Sequence, residues 1–293
     1  MPELPEVETV CRGLAPAMVG ACFTRVEMRR PDLRFPFPKD FVARLEGKTV
    51  TGMYRRAKFL VVALDSHEVL IMHLGMSGRF IVEKDGDAIS PGDFQQAINR
   101  HLRHDHVVFE LSSGFRITYN DVRRFGFMAL TSASDLLSHP HFDGLGVEPL
   151  GNAFNADLLD ELFDGKQTPL KSALLDQRLI AGLGNIYVCE TLHRAHLAPE
   201  RAAGSLAGPG KRKAGIRALL VSTIRDVLNE AIEAGGSTLR DYAHTDGSLG
   251  YFQHRFRVYD QEDKPCPSEG CSGIVLRMVQ AGRSTFYCAK CQR

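Results

Sequence analysis

The chain has no run of about 18 or more apolar residues, which excludes a helical membrane span. It also lacks a basic segment leading into an apolar core at its start, so no secretory signal is expected and the cytoplasm is the expected compartment. Net charge is nearly absent, 36 Lys and Arg against 35 Asp and Glu for a formal +1. A balance of this kind neither favours nor excludes a polyanionic partner, because placement of the basic residues decides. Local groups exist at Arg29, Arg30 and Arg34, at Arg55, Arg56 and Lys58, and at Arg123 and Arg124. Taken alone, such groups read as solvated surface. A disulfide framework is missing too: the seven cysteines are odd in number and four lie in the last 28 residues, which points to a metal site in a reducing compartment. Cys11, Cys22 and Cys189 stand alone in apolar surroundings and read as small buried hydrophobes. No internal repeat is visible.

What is present is an ordinary globular composition, 44% hydrophobic and 24% charged over 293 residues, enough for two domains with cores of their own. The opening Met1-Pro2-Glu3-Leu4-Pro5-Glu6-Val7-Glu8 carries the most chemistry. Initiator methionine is commonly removed ahead of a small residue such as proline, which would leave Pro2 as a free secondary amine. An α-amino group titrates near about 7.7–8.0, against about 10.4 for lysine. More of it is therefore neutral at physiological pH, and Schiff-base chemistry becomes available without a buried lysine. Val7, Val10, Cys11 and Leu14 follow at helical spacing, with proline and acids in the first turn where unpaired N–H groups and the dipole favour them.

From about Val50 to Leu130 the pattern turns to short apolar runs divided by turn clusters, which reads as an antiparallel sandwich or barrel. Asp85 to Arg100 reads as a long exposed loop. Beyond the linker around Ser138-His139-Pro140, helical periodicity runs to about Ala234. Thr168-Pro169 predicts the start of a helix to about Ile180, and Gly182-Leu183-Gly184-Asn185 separates it from another. Ile216, Leu219, Leu220, Thr223, Val227 and Ala231 mark a long amphipathic helix closed by Gly235-Gly236.

Near the end, Cys266-x4-Cys271-x16-Cys288-x2-Cys291 places two close cysteine pairs around a short hairpin, a spacing that suits tetrahedral Zn²⁺. Four thiolates close the coordination sphere, so one structural ion is expected. Arg283 stands near the hairpin turn, where it can reach a groove or a phosphate.

Five segments in order, Pro2 to Val10, His73-Leu74-Gly75-Met76-Ser77-Gly78, Asp121-Val122-Arg123-Arg124-Phe125-Gly126, Gly182-Leu183-Gly184-Asn185-Ile186-Tyr187 and the cysteine finger, together resemble the bacterial formamidopyrimidine-DNA glycosylases. The resemblance spans essentially the whole chain. The related endonuclease VIII branch also begins Pro-Glu, but Leu4-Pro5-Glu6-Val7 and Ser284-Thr285-Phe286-Tyr287 favour the oxidised-purine branch.

The resemblance implies an α+β fold: an N-terminal helix plus antiparallel β-sandwich domain, then a helical helix-two-turn-helix domain with a β-hairpin zinc finger. The implied segments are a catalytic sandwich over 1–135, a linker over 136–152, a helical DNA-binding domain over 153–236, and a lesion-capping loop with the four-cysteine finger over 237–293. It implies a monomeric base-excision-repair enzyme, both DNA glycosylase and abasic-site lyase, acting on duplex DNA that carries 8-oxoguanine or formamidopyrimidines. Pro2 would attack C1′, Glu3 would serve as acid and base at the sugar ring oxygen, Glu6 would support it, and Lys58 would meet the flanking phosphates. His104, and less directly His73, would contact phosphate. Met76, Arg123 and Phe125 would fill the void left by the extruded base, with Arg123 pairing the orphaned cytosine. Asn185 would meet the backbone, and Lys171, Arg240 and Arg283 would touch lesion or DNA. Val122 departs from the family pattern, which often has proline there. Two other classes remain: a non-catalytic duplex binder, which needs neither Pro2 nor Glu3, and a tautomerase-like enzyme, which leaves the finger unexplained.

Overall fold

The computed structural model describes residues 2–84, 87–88, 101–237 and 251–293. Contacts gather the chain into two units, Met1–Asp143 with Ala234–Gln253, and Gly144–Glu233 with His254–Arg293. This grouping differs from the four segments read from the sequence, since Ser237 and Tyr251 go with the first unit and the finger with the helices. Among the described residues no helix is long and apolar enough to cross a membrane.

In the first unit, helix α1 (Leu4–Met18) precedes β1 (Phe23–Met28), the short α2 (Phe41–Leu45), β2 (Val50–Arg56), β3 (Phe59–Leu64), β4 (Glu68–His73), β5 (Gly78–Lys84), β6 (Asp87–Ala88), β7 (Asp105–Leu111), β8 (Phe115–Asp121) and β9 (Phe127–Ser132). Among the described residues two sheets form here, in the orders β1-β7-β8-β5-β6 and β2-β3-β4-β9, with antiparallel pairing between each pair of neighbouring strands. Alternate residues of both sheets, such as Leu60, Val62 and Leu64, Phe80 and Val82, Val107, Phe109 and Leu111, and Ile117 and Tyr119, meet in one core. The period of two along each strand is what turns these side chains inward together. Helix α1 adds Val7, Val10, Cys11, Leu14, Ala17 and Met18 to that core. The sequence pattern does not predict strand β1. Its burial alternates weakly, so only pairing with β7 identifies it. Cys11 and Cys189 are buried as expected, whereas Cys22 is half-exposed.

The second unit comprises α3 (Ala156–Phe163), α4 (Leu170–Leu175), α5 (Asn185–Arg194), α6 (Lys211–Glu233) and the hairpin β10 (Leu276–Gln280) and β11 (Arg283–Tyr287). Three expectations are corrected here. Helix α4 ends at Leu175 rather than near Ile180, because the Gln177 side chain donates to Leu175 and Leu183 carbonyls and accepts from Gly182 N–H, shaping a turn instead of a further helical turn. Its N-cap is Pro169, without side-chain capping by Thr168. On α6, Leu219 is exposed and Arg217 is buried, because the Arg217 guanidinium satisfies the Ala156, Leu206 and Gly208 carbonyls and pairs with Asp160 at 2.8 Å.

Glu190 on α5 is fully buried, which a glutamate almost never is without partners. Its carboxylate accepts from the N–H groups of Arg257, Val258 and Tyr259 at 2.9, 3.0 and 2.9 Å, fastening the chain that enters the finger. Below it Cys189, Val258, Val275 and Phe286 form a small apolar cluster. Glu190→Gln leaves one of these donors facing an amide N–H₂, so the second unit is expected to lose about 1–3 kcal/mol. Urea unfolding followed by hydrogen exchange at Val258 and Tyr259 checks it.

Candidate active site and nucleic-acid interface

Pro2 is buried directly before α1. Glu3 is the N-cap and Glu6 the N3 residue, and together they form a capping box. Both acids are enclosed, at 5% and 2% exposure. Glu6 Oε2 accepts the Glu3 N–H at 2.8 Å, while Oε1 accepts both the N–H and the hydroxyl of Ser237 at 2.9 Å. Gly236 lies so near that a Cβ there would sit 3.2 Å from Glu6 Oε1, and its φ of +81° is one that side chains disfavour. Glu6 therefore holds the acid-bearing turn to residue 237, and Ser237 is bridged to Tyr251. Arg240 and the rest of 238–250 lie outside the described residues.

Lys58 stands in the two-residue turn between β2 and β3 and is buried. That hairpin packs on α1, and Arg55 pins it there through an ion pair with Glu8 at 3.0 Å and a bond to the Ala57 carbonyl. Sequence patterning places Arg55 among solvated groups, but its side chain is only 7% exposed. A bidentate-capable guanidinium satisfies a half-buried carboxylate where a lysine would serve less well.

Two turns carry the long side chains. The β4–β5 turn presents Met76, half-buried, and the β8–β9 loop exposes Val122, Arg123, Arg124 and Phe125. The Arg123 guanidinium lies over the Phe125 ring, 4.7 Å from its centroid. His73 sits beside them differently from a phosphate contact. Its ring lies among Phe59, Phe127 and His141, and its Nδ1 accepts the Gly75 N–H at 3.1 Å. Burial first, then the charges of Lys58, Arg34 and His141, push its pKa down to about 4. At neutral pH His73 is thus an uncharged acceptor that shapes the Met76 turn. His104 ends a 3₁₀ turn, half-buried, and accepts from Arg103 Nε at 3.0 Å. Desolvation and the neighbouring Arg103, His106 and His101 hold its pKa below the ordinary value.

In the second unit Arg283 is exposed at the end of the β10–β11 hairpin, whose Ala281 and Gly282 both have positive φ, 48° and 73°, as a tight two-residue turn requires. Lys171 lies behind the surface, 1% exposed. Its ammonium donates to the Ser284 carbonyl at 3.0 Å and to the Thr285 hydroxyl at 2.6 Å. Asn185, the first residue of α5 rather than its cap, donates to the same Ser284 carbonyl at 2.9 Å. Both residues thus brace the hairpin that carries Arg283.

The four sulfur atoms of Cys266, Cys271, Cys288 and Cys291 lie within 4.8 Å of one another. Cys266–Cys291 and Cys271–Cys288 are each 3.7 Å apart. A tetrahedron with Zn–S bonds of about 2.3 Å has edges of about 3.8 Å, so the cage has the size of the ion. Gly273 is needed for this closeness, since a Cβ would lie 2.6 Å from Cys288 Sγ. The set is a structural zinc site with no ligand position left open.

Comparison with known proteins agrees with this geometry. Residues 1–128 match the formamidopyrimidine-DNA glycosylase N-terminal domain, 145–243 the formamidopyrimidine-DNA glycosylase H2TH domain, and 263–293 the zinc finger found in FPG and IleRS. The formamidopyrimidine-DNA glycosylase of Beijerinckia indica is 64% identical over 293 residues, all of both chains. That of Methylobacterium nodulans is 61% identical over 294 residues, covering 100% of this chain and 99% of the relative. Among solved structures, MutM (Fpg) from Thermus thermophilus superposes with a TM-score of 0.80 at 38% identity, over 99% of this chain and 98% of that one. A variant Fpg of Lactococcus lactis bound to DNA containing Fapy-dG gives 0.83 at 31% identity over the full length of both. On its motifs, its fold and its full-length relatives, the chain belongs to the formamidopyrimidine-DNA glycosylase family.

Proposed function

We propose that the protein is a base-excision-repair DNA glycosylase that also cleaves abasic sites, acting as a monomer on duplex DNA with oxidised purines. The observation that carries this is the buried Pro2 set against the Glu3–Glu6 capping box. With Met1 removed, Pro2 is a secondary amine next to an enclosed carboxylic acid. Its nitrogen attacks C1′ of the extruded nucleotide. The glycosidic bond breaks and its electron pair leaves with the base, which takes up the proton that the attacking amine sheds, while Glu3 delivers a proton to the sugar ring oxygen and opens the ring. The product is a C1′ iminium, a permanent cation because the amine is secondary. It acidifies the C2′ proton. Loss of that proton expels the 3′ phosphate by β-elimination, and a second elimination releases the 5′ phosphate.

Glu6 keeps the Glu3 turn in place, and Lys58, His104, Asn185 and Arg283 meet the phosphates around the lesion. Met76, Arg123 and Phe125 occupy the void, Arg123 offering planar donors to the facing cytosine. His73 and Lys171 act from behind, one on the Met76 turn and the other on the finger hairpin. The zinc ion, when bound, supplies structure to the finger and no chemistry at the sugar.

The test is borohydride trapping with intact-mass analysis, on duplexes carrying 8-oxoguanine opposite cytosine or dihydrothymine. Trapping through Pro2 on the oxidised purine, with Met1 absent, is expected. Pro2→Gly should bind DNA as before and turn over more slowly. Trapping on the pyrimidine lesion alone would reverse the substrate assignment, and binding without any trapping would leave a duplex-binding protein.

A further inference from the structure

Asp121 is fully buried at the end of β8, opposite Gly78, the first residue of β5. Its carboxylate gathers groups from both turns that carry the long side chains. Oδ1 accepts the Ser77 hydroxyl at 2.6 Å and the Arg123 N–H at 3.2 Å. Oδ2 accepts the Gly126 N–H at 2.9 Å and the Tyr119 hydroxyl at 3.3 Å. The Arg123 N–H is shared with Ser77 Oγ at 3.0 Å, so the residue after Met76 and the residue that reads the opposite strand are tied to one another as well as to Asp121. Burial and the Asp121 charge push the Tyr119 phenol well above its ordinary pKa, so it remains a donor.

Side-chain packing cannot do this work at the junction. A Cβ on Gly75 would lie 2.3 Å from both Gly126 N and the Phe125 carbonyl carbon, and one on Gly126 would lie 1.8 Å from Tyr119 Oη. The two backbones touch with no side chain between them. Val122 is exposed and, not being proline, does not lock its own φ. The strand ladders anchor the ends of both turns, at His73 with Phe127 and Gly78 with Asp121, and directional bonds to a common acceptor join the turns beyond those ends.

We propose that Asp121 is the positioning residue that fixes Met76, Arg123 and Phe125 as one preformed wedge, and thereby sets how strictly the base opposite the lesion is read. This rests on the assignment of those three side chains to the void. Preformed placement matters because a reading arginine that must first be ordered loses discrimination to that ordering. Asp121→Asn is the sharpest probe. Its shape is nearly unchanged, yet one edge becomes a donor facing donors, so one of the two turns is released.

The experiment measures single-turnover excision of 8-oxoguanine by the full chain, opposite cytosine, opposite adenine, and opposite an abasic analogue that offers no base to read. For Asp121→Asn the rate opposite cytosine should fall about tenfold or more, and the cytosine-to-adenine ratio with it. The rate opposite the abasic analogue should fall by about threefold or less. A fall of equal size on all three duplexes, or none, overturns the proposal. If Asp121→Asn does not fold, Ser77→Ala removes the bridge between the turns and leaves the carboxylate. It should lower the cytosine-to-adenine ratio by about threefold, and an unchanged ratio overturns the proposal equally. Failure of the unaltered protein to excise from any duplex would instead defeat the glycosylase assignment itself.

Discussion

Glu3→Gln is expected to slow excision of an oxidised purine by about 10²–10⁴-fold, the usual contribution of a positioned proton donor, while a preformed abasic site is still trapped through Pro2. The substitution separates proton transfer from architecture. A glutamine oxygen can still accept the Glu6 N–H in the capping box, and Glu6 holds the backbone N–H of residue 3 whatever side chain that residue bears. The amine is untouched as well. Single-turnover excision and borohydride trapping run side by side provide the check. If both fall together, Glu3 serves the amine or the shape of the turn. If neither falls, Glu3 is a cap and the proton comes from elsewhere.

Removal of zinc is expected to abolish binding to duplex DNA while the sandwich stays folded. Metal binding contributes about 10–16 kcal/mol to isolated zinc fingers, as much as the whole stability of an ordinary domain, about 5–15 kcal/mol. No apolar core of comparable size lies inside the finger: its apolar contacts are the small cluster shared with α5. Without the ion, four thiols drawn within 4.8 Å have no reason to stay together. The knuckles then release one end of the hairpin that carries Arg283, and Lys171 and Asn185 hold only the Ser284 end. The chain contains no tryptophan, so hydrogen exchange is the better readout. Chelation should expose the amides of β10 and β11 while those of β3 and β4 keep their protection. Retained affinity for duplex after all four thiols become open to alkylation would remove the finger from the DNA interface.

The residues legible in the sequence are those whose chemistry depends on near neighbours. The capping box joins Glu3 and Glu6 across one helical turn. The cysteine pairs lie close along the chain, and the glycines at 75, 78 and 126 announce turns where long side chains can stand. The short apolar runs of β3, β4, β7 and β8, divided by turn clusters, are likewise local features, so these strands could be foreseen.

Residues whose partners are distant along the chain were not legible. Arg55 and Lys171 look like any exposed cations until Glu8 and the Ser284 carbonyl arrive from 47 and 113 residues away. Glu190 resembles a surface acid of α5 until three N–H groups some 68 residues later close on it. Asp121 reads as part of a loop motif, and only the pairing of β5 with β8 brings Ser77 to it. Strand β1 has too little alternation to be seen without β7. By itself, then, the sequence determined the α+β class, the proline and acid for which the nucleophile and proton-donor roles are proposed, the zinc ligands and the two loop tips, because spacing along one segment suffices for each. Only the tertiary structure decided which charges are enclosed and what they hold, because a buried carboxylate or ammonium is defined by donors and acceptors that folding must first bring to it.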